Sequence, residues 1–327
     1  MRAERCALGI DLGGTKIKLA LVSGDGRILA DRRLATAAEG GPGRVREQIL
    51  HGCRELQAEA VSAPVGLGVG VAGQVRAADG VVRFAPNLDW HDVPLQAELE
   101  SVLRMPVALV NDVRAATWGE WLFGAGRGCD DLVCVFVGTG IGGGIVSGGR
   151  ILAGSSNSAG EIGHMTVDLH GPPCHCDNRG CLEALAGGWA IARRAREAVL
   201  ADPAAGAVLS RMAFEQGGDL SAEIVTAGLR AGDPLARRIV DEVTAALIAG
   251  AVGLVNAFNP RRLIFGGGVI DGLPELVERV DQGIRQRALP AAWEDLEVMA
   301  TALGSNAGVI GAAAVALTPD PPEREGR

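Results

Sequence analysis

The sequence predicts an α/β protein of two domains with largely parallel sheets, and two observations carry that prediction. Apolar strand-like runs alternate with helix-like runs along most of the chain, the pattern of helices layered on sheets. One stretch also recurs: LVSGDGRILA at 21–30 returns as IVSGGRILA at 145–153. Each copy closes the same plan of apolar strand, glycine-rich turn, second strand, Ser-Gly hairpin and a third strand opening Arg-Ile-Leu-Ala. Self-similarity at so long a spacing marks a duplicated domain and not a solenoid. Chance likeness in a chain with 48 glycines is the competing explanation. The 327 residues are enough for two cores.

The elements follow in order. ALGIDLGGTKIKLALVSGDGRILADRR opens the chain as strand, loop, strand, hairpin and strand. A helix is expected over 43–61, a strand over 65–73, a hairpin region around PNLDW (86–90), a helix over 94–103 and a strand over 107–112. RAATWGEWLFGAG then reads as a helix stopped by glycine. Beyond the second copy the chain is mostly helical, interrupted by the strand RLIFGGGV at 262–269. The run VTAALIAGAVGLVNAFNP (243–260) is apolar but short and closes on Asn-Pro, which fits a buried core helix better than a membrane span. LGSNAGVIGAAAVAL (303–317) reads as a helix behind a Ser/Asn cap, and the Pro- and charge-rich tail 318–327 is expected to fray.

Composition narrows the function. A 48% hydrophobic, 21% charged chain folds to a globule. Its net charge of −8 is spread along the chain with no basic cluster, which argues against nucleic acid and anionic membrane as partners. With no tyrosine and 3% aromatics there is no base-stacking platform. The opening MRAERCALGIDLGG lacks a signal peptide's apolar stretch, so a cytoplasmic protein is expected. In that reducing compartment clustered cysteines point to metal before disulfide.

Two glycine turns sit at equivalent places in the two copies. In DLGGTK, Gly13 and Gly14 let backbone amides approach an oxyanion, while Thr15 and Lys16 add a hydroxyl and a cation. In GTGIGGG (138–144), Gly138, Thr139 and Gly140 hold the matching position. Neither turn is a Walker loop or a dinucleotide fingerprint, since strand follows each. Gly267 and Gly268 in FGGGV follow another strand, and GSNAG (304–308) opens a helix whose amides can face an anion. Plain glycine turns are the bland alternative. Four such loops at element ends favour a nucleotide's phosphates.

VALVNDVRAAT puts Asn111 and Asp112 where an apolar strand gives way to a helix. Asp112 there is either a helix cap or a general base that takes a proton from an attacking hydroxyl. Asn111 beside it can hydrogen-bond a neighbouring hydroxyl. His164, Cys174, Cys176 and Cys181 follow the spacing H-x9-C-x-C-x4-C. Three thiolates and an imidazole make a closed tetrahedral set for a structural zinc, leaving no position for an activated water. Cys6, Cys53, Cys129 and Cys134 are expected in the core. Glu161 and Glu183 flank the cluster, and carboxylates stiffened this way suit vicinal sugar hydroxyls. With one ring nitrogen on the metal, His164 can offer the other to a hydroxyl.

Taken together, DLGGTK, the Asn-Asp pair, GTGIGGG, AGEIGH and CxC…GCLE resemble the ROK family (repressors, open reading frames and sugar kinases) over roughly residues 8 to 315. That resemblance implies the actin-like ATPase (ribonuclease H-like) fold: two α/β domains around a cleft, the last helix returning to the first domain. The division expected is 1–117 plus about 305–320 against 118–304. It further implies Asp112 as catalytic base, with Asn111, Glu161, His164 and Glu183 on the sugar, completed by Gly73 and Asn87. Asp11 would stand near the magnesium of Mg-ATP. One departure stands out: Asp177 occupies the position where the family's CxCGxxGCxE pattern has glycine. Asp tolerates left-handed backbone better than most side chains.

The activity so implied is ATP-dependent phosphorylation of the 6-hydroxyl of an aldohexose, with glucose suggested by PNLDW, and a homodimer or homotetramer as assembly. N-acetylglucosamine, N-acetylmannosamine and fructose kinases share most of these residues. Sugar-sensing repressors of the family carry a helix-turn-helix before the first glycine loop, and ten residues before Asp11 leave no space for one. An ATPase without sugar conflicts with an acidic pocket ordered by zinc.

Overall fold

Each copy of the repeated stretch supplies three strands of its own five-stranded sheet, and the two sheets share one strand order. In the computed structural model, which describes residues 5–318, the first copy supplies β1 (Cys6–Leu12), β2 (Lys16–Ser23) and β3 (Ile28–Ala35). β4 (Leu67–Val71) follows a long helix, Gly41–Glu59. Next come three short strands, β5 (Gln74–Arg76), β6 (Val81–Ala85) and β7 (Trp90–Val93), which form a small sheet of their own, and then β8 (Val107–Asn111). The second copy supplies β9 (Leu132–Val137), β10 (Ile141–Ser147) and β11 (Arg150–Ile151), later joined by β12 (Arg262–Gly266) and β13 (Glu297–Ala300). The orders are β3-β2-β1-β4-β8 and β11-β10-β9-β12-β13. In each, the first strand of the copy runs parallel to the next strand in the sheet, and that strand to the edge strand: β1, β4 and β8 in one, β9, β12 and β13 in the other. The duplicated domain and the α/β class are as expected. The third strand is two residues long in the second copy.

The chain divides into two compact units. One runs through residue 130 and takes 144–160 and the chain from 301 on; the other holds 131–143 and 161–300. This differs from the expected divide at 117. Helix Asp112–Phe123 stays whole in the first unit because it packs along helix Ala307–Leu317. Segment 144–160 stays there through the Gly149 N–H on the Asp130 carbonyl (2.8 Å) and the buried Arg114, whose Nη2 reaches the Asn157 carbonyl at 3.0 Å.

Period-two alternation sorts the first sheet's faces. Leu8, Ile10 and Leu12 with Ile17, Leu19 and Leu21 face a core shared with Ile49, Cys53 and Leu56 of helix Gly41–Glu59. Ala7 and Gly9 face the other way, toward helix Ala307–Leu317, and their smallness is what lets it in. A Cβ at Gly9 would meet the Val309 carbonyl oxygen, one at Gly68 the Ala312 oxygen and one at Gly311 the Ala115 oxygen. The helix therefore lies backbone on backbone against β1, β4 and helix Asp112–Phe123. Glu120, fully buried, fixes the approach to it: its carboxylate accepts the N–H groups of Ala125 (2.8 Å), Ala302 (3.0 Å) and Leu303 (2.8 Å). The expected Ser/Asn cap is not made. Gly304–Asn306 is a 3₁₀ turn running straight into the helix, and the Asn306 side chain instead accepts from the buried Lys18 ammonium.

In the second unit the apolar run is the latter part of helix Pro234–Phe258. It begins earlier than expected because Asp233 caps it, accepting the Ala236 N–H at 2.8 Å ahead of Pro234. By length and composition it could cross a membrane, but half of its apolar window is buried inside the fold, as in a core helix. The four cysteines expected in the core are all buried. The expected fraying tail lies, apart from Thr318, outside the described residues.

The glycine seam sets a stability test. Gly68→Ala drives a methyl into backbone that cannot move aside and is expected to cost ~3 kcal/mol. Gly43→Ala, in an exposed helical turn with only the tip of Arg46 at 4.0 Å, should gain up to ~1 kcal/mol. Urea midpoints of the two variants against the parent check both signs.

Candidate active site

The end of β8 separates the two roles open to the Asn-Asp pair. Asn111 is the cap: its Oδ1 accepts the N–H groups of Val113 (3.0 Å) and Arg114 (3.1 Å). Its Nδ2 donates to the Gly73 carbonyl (3.3 Å) and to Asp112 Oδ1 (3.0 Å). The capping reading of Asp112 is thereby overturned. Asp112 is the first helical residue, half-buried, where the helix dipole favours an anion. One amide side chain so ties strand end, helix start and carboxylate to the Gly73 turn. Gly73 is glycine because a Cβ would lie 2.6 Å from the Phe84 carbonyl oxygen.

The DLGGTK turn is pinned by Gly13 N–H on the Lys16 carbonyl (3.1 Å) and by Thr36 Oγ1 on the Gly13 carbonyl (2.8 Å). Thr15 and Lys16 are exposed. Gly14 has a reason the sequence did not suggest: the Asn87 backbone presses against it where a Cβ would be. The phosphate-type turn and the PNLDW loop are thus packed together. Asp11 faces Lys18 across the β1–β2 pair, and a Cβ at Gly308 would lie 2.9 Å from its carboxylate. Burial pushes the Asp11 carboxyl above its ordinary value, while Lys18 and Lys16 pull it back.

In the second unit the expected residues gather around the turn from β9 to β10. Gly138 N–H donates to the Gly140 carbonyl at 2.9 Å. Gly267, at φ +91°, passes so close to Val137 that a Cβ would lie 2.5 Å from its carbonyl oxygen; that approach ends β12 at Gly266, short of the expected 269. Glu183 Oε2 accepts the Ile141 N–H at 2.8 Å and Oε1 accepts the Trp189 indole N–H at 3.2 Å. Glu161 is exposed and starts the 3₁₀ turn Ile162–His164, which packs on β10 through Gly163, where a Cβ would meet the Ile141 carbonyl oxygen.

The thiol cluster closes as its spacing implies. One ligand atom from each of His164, Cys174, Cys176 and Cys181 lies within 4.8 Å of the others. Cys176 Sγ is 3.6 Å from Cys181 Sγ, and Cys174 Sγ is 3.7 Å from His164 Nδ1. A tetrahedral zinc with ~2.3 Å sulfur bonds has ligand edges of roughly 3.8 Å, so the donor set fits that ion. Burial pushes the Cys181 thiol up to about 12 and raises Cys174, whereas the Asn178 backbone N–H holds Cys176 below its usual range. A cation among them would favour all three thiolates. Asp177 adopts φ +65°, the left-handed conformation that glycine takes most easily, and Gly180 follows at +66°.

Within the first unit the structure joins Gly73, Asn111 and Asp112 by hydrogen bonds and packs Asn87 on Gly14; within the second it joins the cluster, Glu161, Glu183 and the 138–141 turn. Sequence reasoning missed Lys18, Arg114, Trp189 and the pair Gly187–Gly188, of which Gly188 N–H holds the Gly138 carbonyl at 2.9 Å. The motif AGGW, two residues after GCLE, was the available signal for the last two.

This chain belongs to the ROK family: the family's sequence model matches residues 7–318. It is 37% identical over 312 residues to a glucokinase of Thermotoga maritima, covering 94% of this chain and 96% of that one. The crystal structure of a ROK family glucokinase from Streptomyces griseus in complex with glucose and AMPPNP matches with a TM-score of 0.80 at 33% identity, covering 95% of this chain and 98% of that one. An N-acetylmannosamine kinase of Escherichia fergusonii is 34% identical over 264 residues, 77% of this chain and 84% of its own. The actin-like α/β fold implied by the motifs is the fold of these relatives.

Protein purified without chelator is expected to carry about one equivalent of zinc by elemental analysis, and Cys181→Ser to lose it. Asp177→Gly should keep the metal, while Asp177→Val, forced into left-handed backbone at ~1–2 kcal/mol, should reduce occupancy.

Proposed function

We propose that this protein is an ATP-dependent hexose kinase that transfers the γ-phosphoryl group to the 6-hydroxyl of glucose. The observation that carries the reading is the carboxylate of Asp112, at a strand end and helix start, held at 3.0 Å by an asparagine that does the capping in its place. A carboxylate spared from capping and oriented by a neighbour is what a general base needs. The glucokinase relatives, matched over nearly the whole chain, support the same reaction.

In this reading Asp112 accepts the proton of the 6-hydroxyl as its oxygen attacks phosphorus and the bond to the β-phosphate oxygen breaks. Asn111 keeps the carboxylate aimed. Glu161, His164 through Nε2, and Glu183 accept from or donate to the remaining hydroxyls. The glycine turns at 13–16 and 138–140, with 267–268, offer main-chain amides to the phosphates, and Asp11 would hold the magnesium that comes with ATP and neutralises charge on the transferred group. Zinc in the thiol cluster would hold the segment between His164 and Glu183 and take no part in the transfer. A cytoplasmic enzyme that works as a homodimer or homotetramer completes the proposal.

N-acetylmannosamine is the second substrate reading, favoured by the 34% identity to that kinase. A coupled ADP-release assay with Mg-ATP against glucose, N-acetylglucosamine, N-acetylmannosamine, mannose and fructose decides between them. Glucose should be turned over with the highest kcat/KM, and Asp112→Asn should lower kcat by ~10²–10⁴-fold with sugar binding retained. Sugar-independent ATP hydrolysis at the same rate, or less than tenfold loss in the variant, would defeat the proposal.

A further inference from the structure

Trp189 stands where three functional pieces of the second unit meet. Its main-chain N–H donates to the Thr139 carbonyl at 3.0 Å, next to the Gly188 bond to Gly138, so this stretch is zipped to the 138–140 turn. Its indole N–H donates to Glu183 Oε1 at 3.2 Å, while the other carboxylate oxygen takes the Ile141 N–H. Its ring stacks on His175 with centroids 4.2 Å apart and planes 26° apart. His175 lies in sequence between the two cluster thiols Cys174 and Cys176.

We propose that Trp189 is the positioning residue for Glu183 in sugar recognition: the indole N–H fixes the carboxylate, and the stack on His175 passes the order of the metal knuckle on to it. The inference rests on the reading of Glu183 as a hydroxyl ligand. A carboxylate has about four acceptor positions, two on each oxygen. Here each oxygen has one position filled by a donor of this chain, which sets the plane of the group and leaves one on each oxygen for hydroxyls. Without the indole donor, Oε1 is held by nothing else in the described hydrogen bonds; the carboxylate is then pinned at Oε2 alone, and its plane must be ordered by the sugar itself. The main-chain bond to Thr139 survives any substitution at 189, so the phosphate turn is left alone. That asymmetry makes the role measurable.

Trp189→Phe keeps the aromatic stack and deletes the donor. The KM for the sugar should rise about tenfold, with the KM for Mg-ATP within about twofold of the parent and the zinc content unchanged. Glu183→Gln, measured in parallel, should raise the sugar KM at least as far. If Glu183→Gln has no effect, the hydroxyl-ligand reading itself fails; if it raises KM and Trp189→Phe does not, only the positioning role fails. A second readout does not need turnover. Among the indole N–H resonances of ¹⁵N-labelled protein, the one missing from Trp189→Phe, or from Trp189→Tyr should the first variant not fold, must shift when the sugar is added and again when zinc is stripped. A resonance stationary under sugar overturns the positioning role, and one stationary under demonstrated metal removal overturns the relay through His175.

Discussion

The first unit depends on a contact made without side chains. Helix Ala307–Leu317 touches β1, β4 and helix Asp112–Phe123 through carbonyl oxygens that sit where the Cβ atoms of Gly9, Gly68 and Gly311 would be. An approach that close brings the end of β1, with Asp11, against Gly308 at the start of the helix, and fixes the helix that begins at Asp112. Glu120 and Lys18 then tether residues 302–306, which lead into the helix, to elements far away in sequence. The small residues are therefore requirements of distance, and the carboxylates at 11 and 112 inherit their placement from them.

The duplicated hairpins show how one local plan acquires two different settings. In the first copy the glycine turn is pressed by the Asn87 backbone; in the second, by Gly188, Gly267 and the carboxylate of Glu183. Each turn is thereby joined to residues assigned to sugar recognition in its own unit. Under the proposed assignment, substitutions in the turn would alter sugar and nucleotide handling together, since neither neighbour can shift alone in a close-packed interior.

Much of this was legible because the signals were short-range. The duplication followed from the recurrence of LVSGDGRILA, and the metal set from four soft ligands at fixed spacing. What escaped were matters of partnership. Asn111 and Asp112 are both good caps, and only the 3.0 Å and 3.1 Å bonds to Asn111 Oδ1 say which one caps. The Ser/Asn cap at 305–306 was plausible by type but lost to Lys18, a competitor 287 residues away from Ser305 in sequence. Gly14 reads as a phosphate glycine by its motif, and within the protein its tightest neighbour is Asn87. Glycine in a turn looks the same whether a ligand or another strand of the protein comes close, so its type alone cannot assign it.

Lysine usage carries a signal of the same kind. Of 31 basic residues only Lys16 and Lys18 are lysines, and both stand beside the first glycine turn. At 18 the choice has a physical reason. The ammonium is buried, donates to the Ser305 carbonyl at 2.8 Å and to Asn306 Oδ1, and faces Asp11 across the strand pair. A guanidinium carries five N–H donors in a rigid fork and would bring more buried donors than these acceptors satisfy. Burial opposes the charge on both partners, raising Asp11 and lowering Lys18, and each partner counters the effect on the other. The compact cation thus does two things at once: it fastens the turn that starts the last helix, and it favours the ionised form of the carboxylate we assign to Mg-ATP.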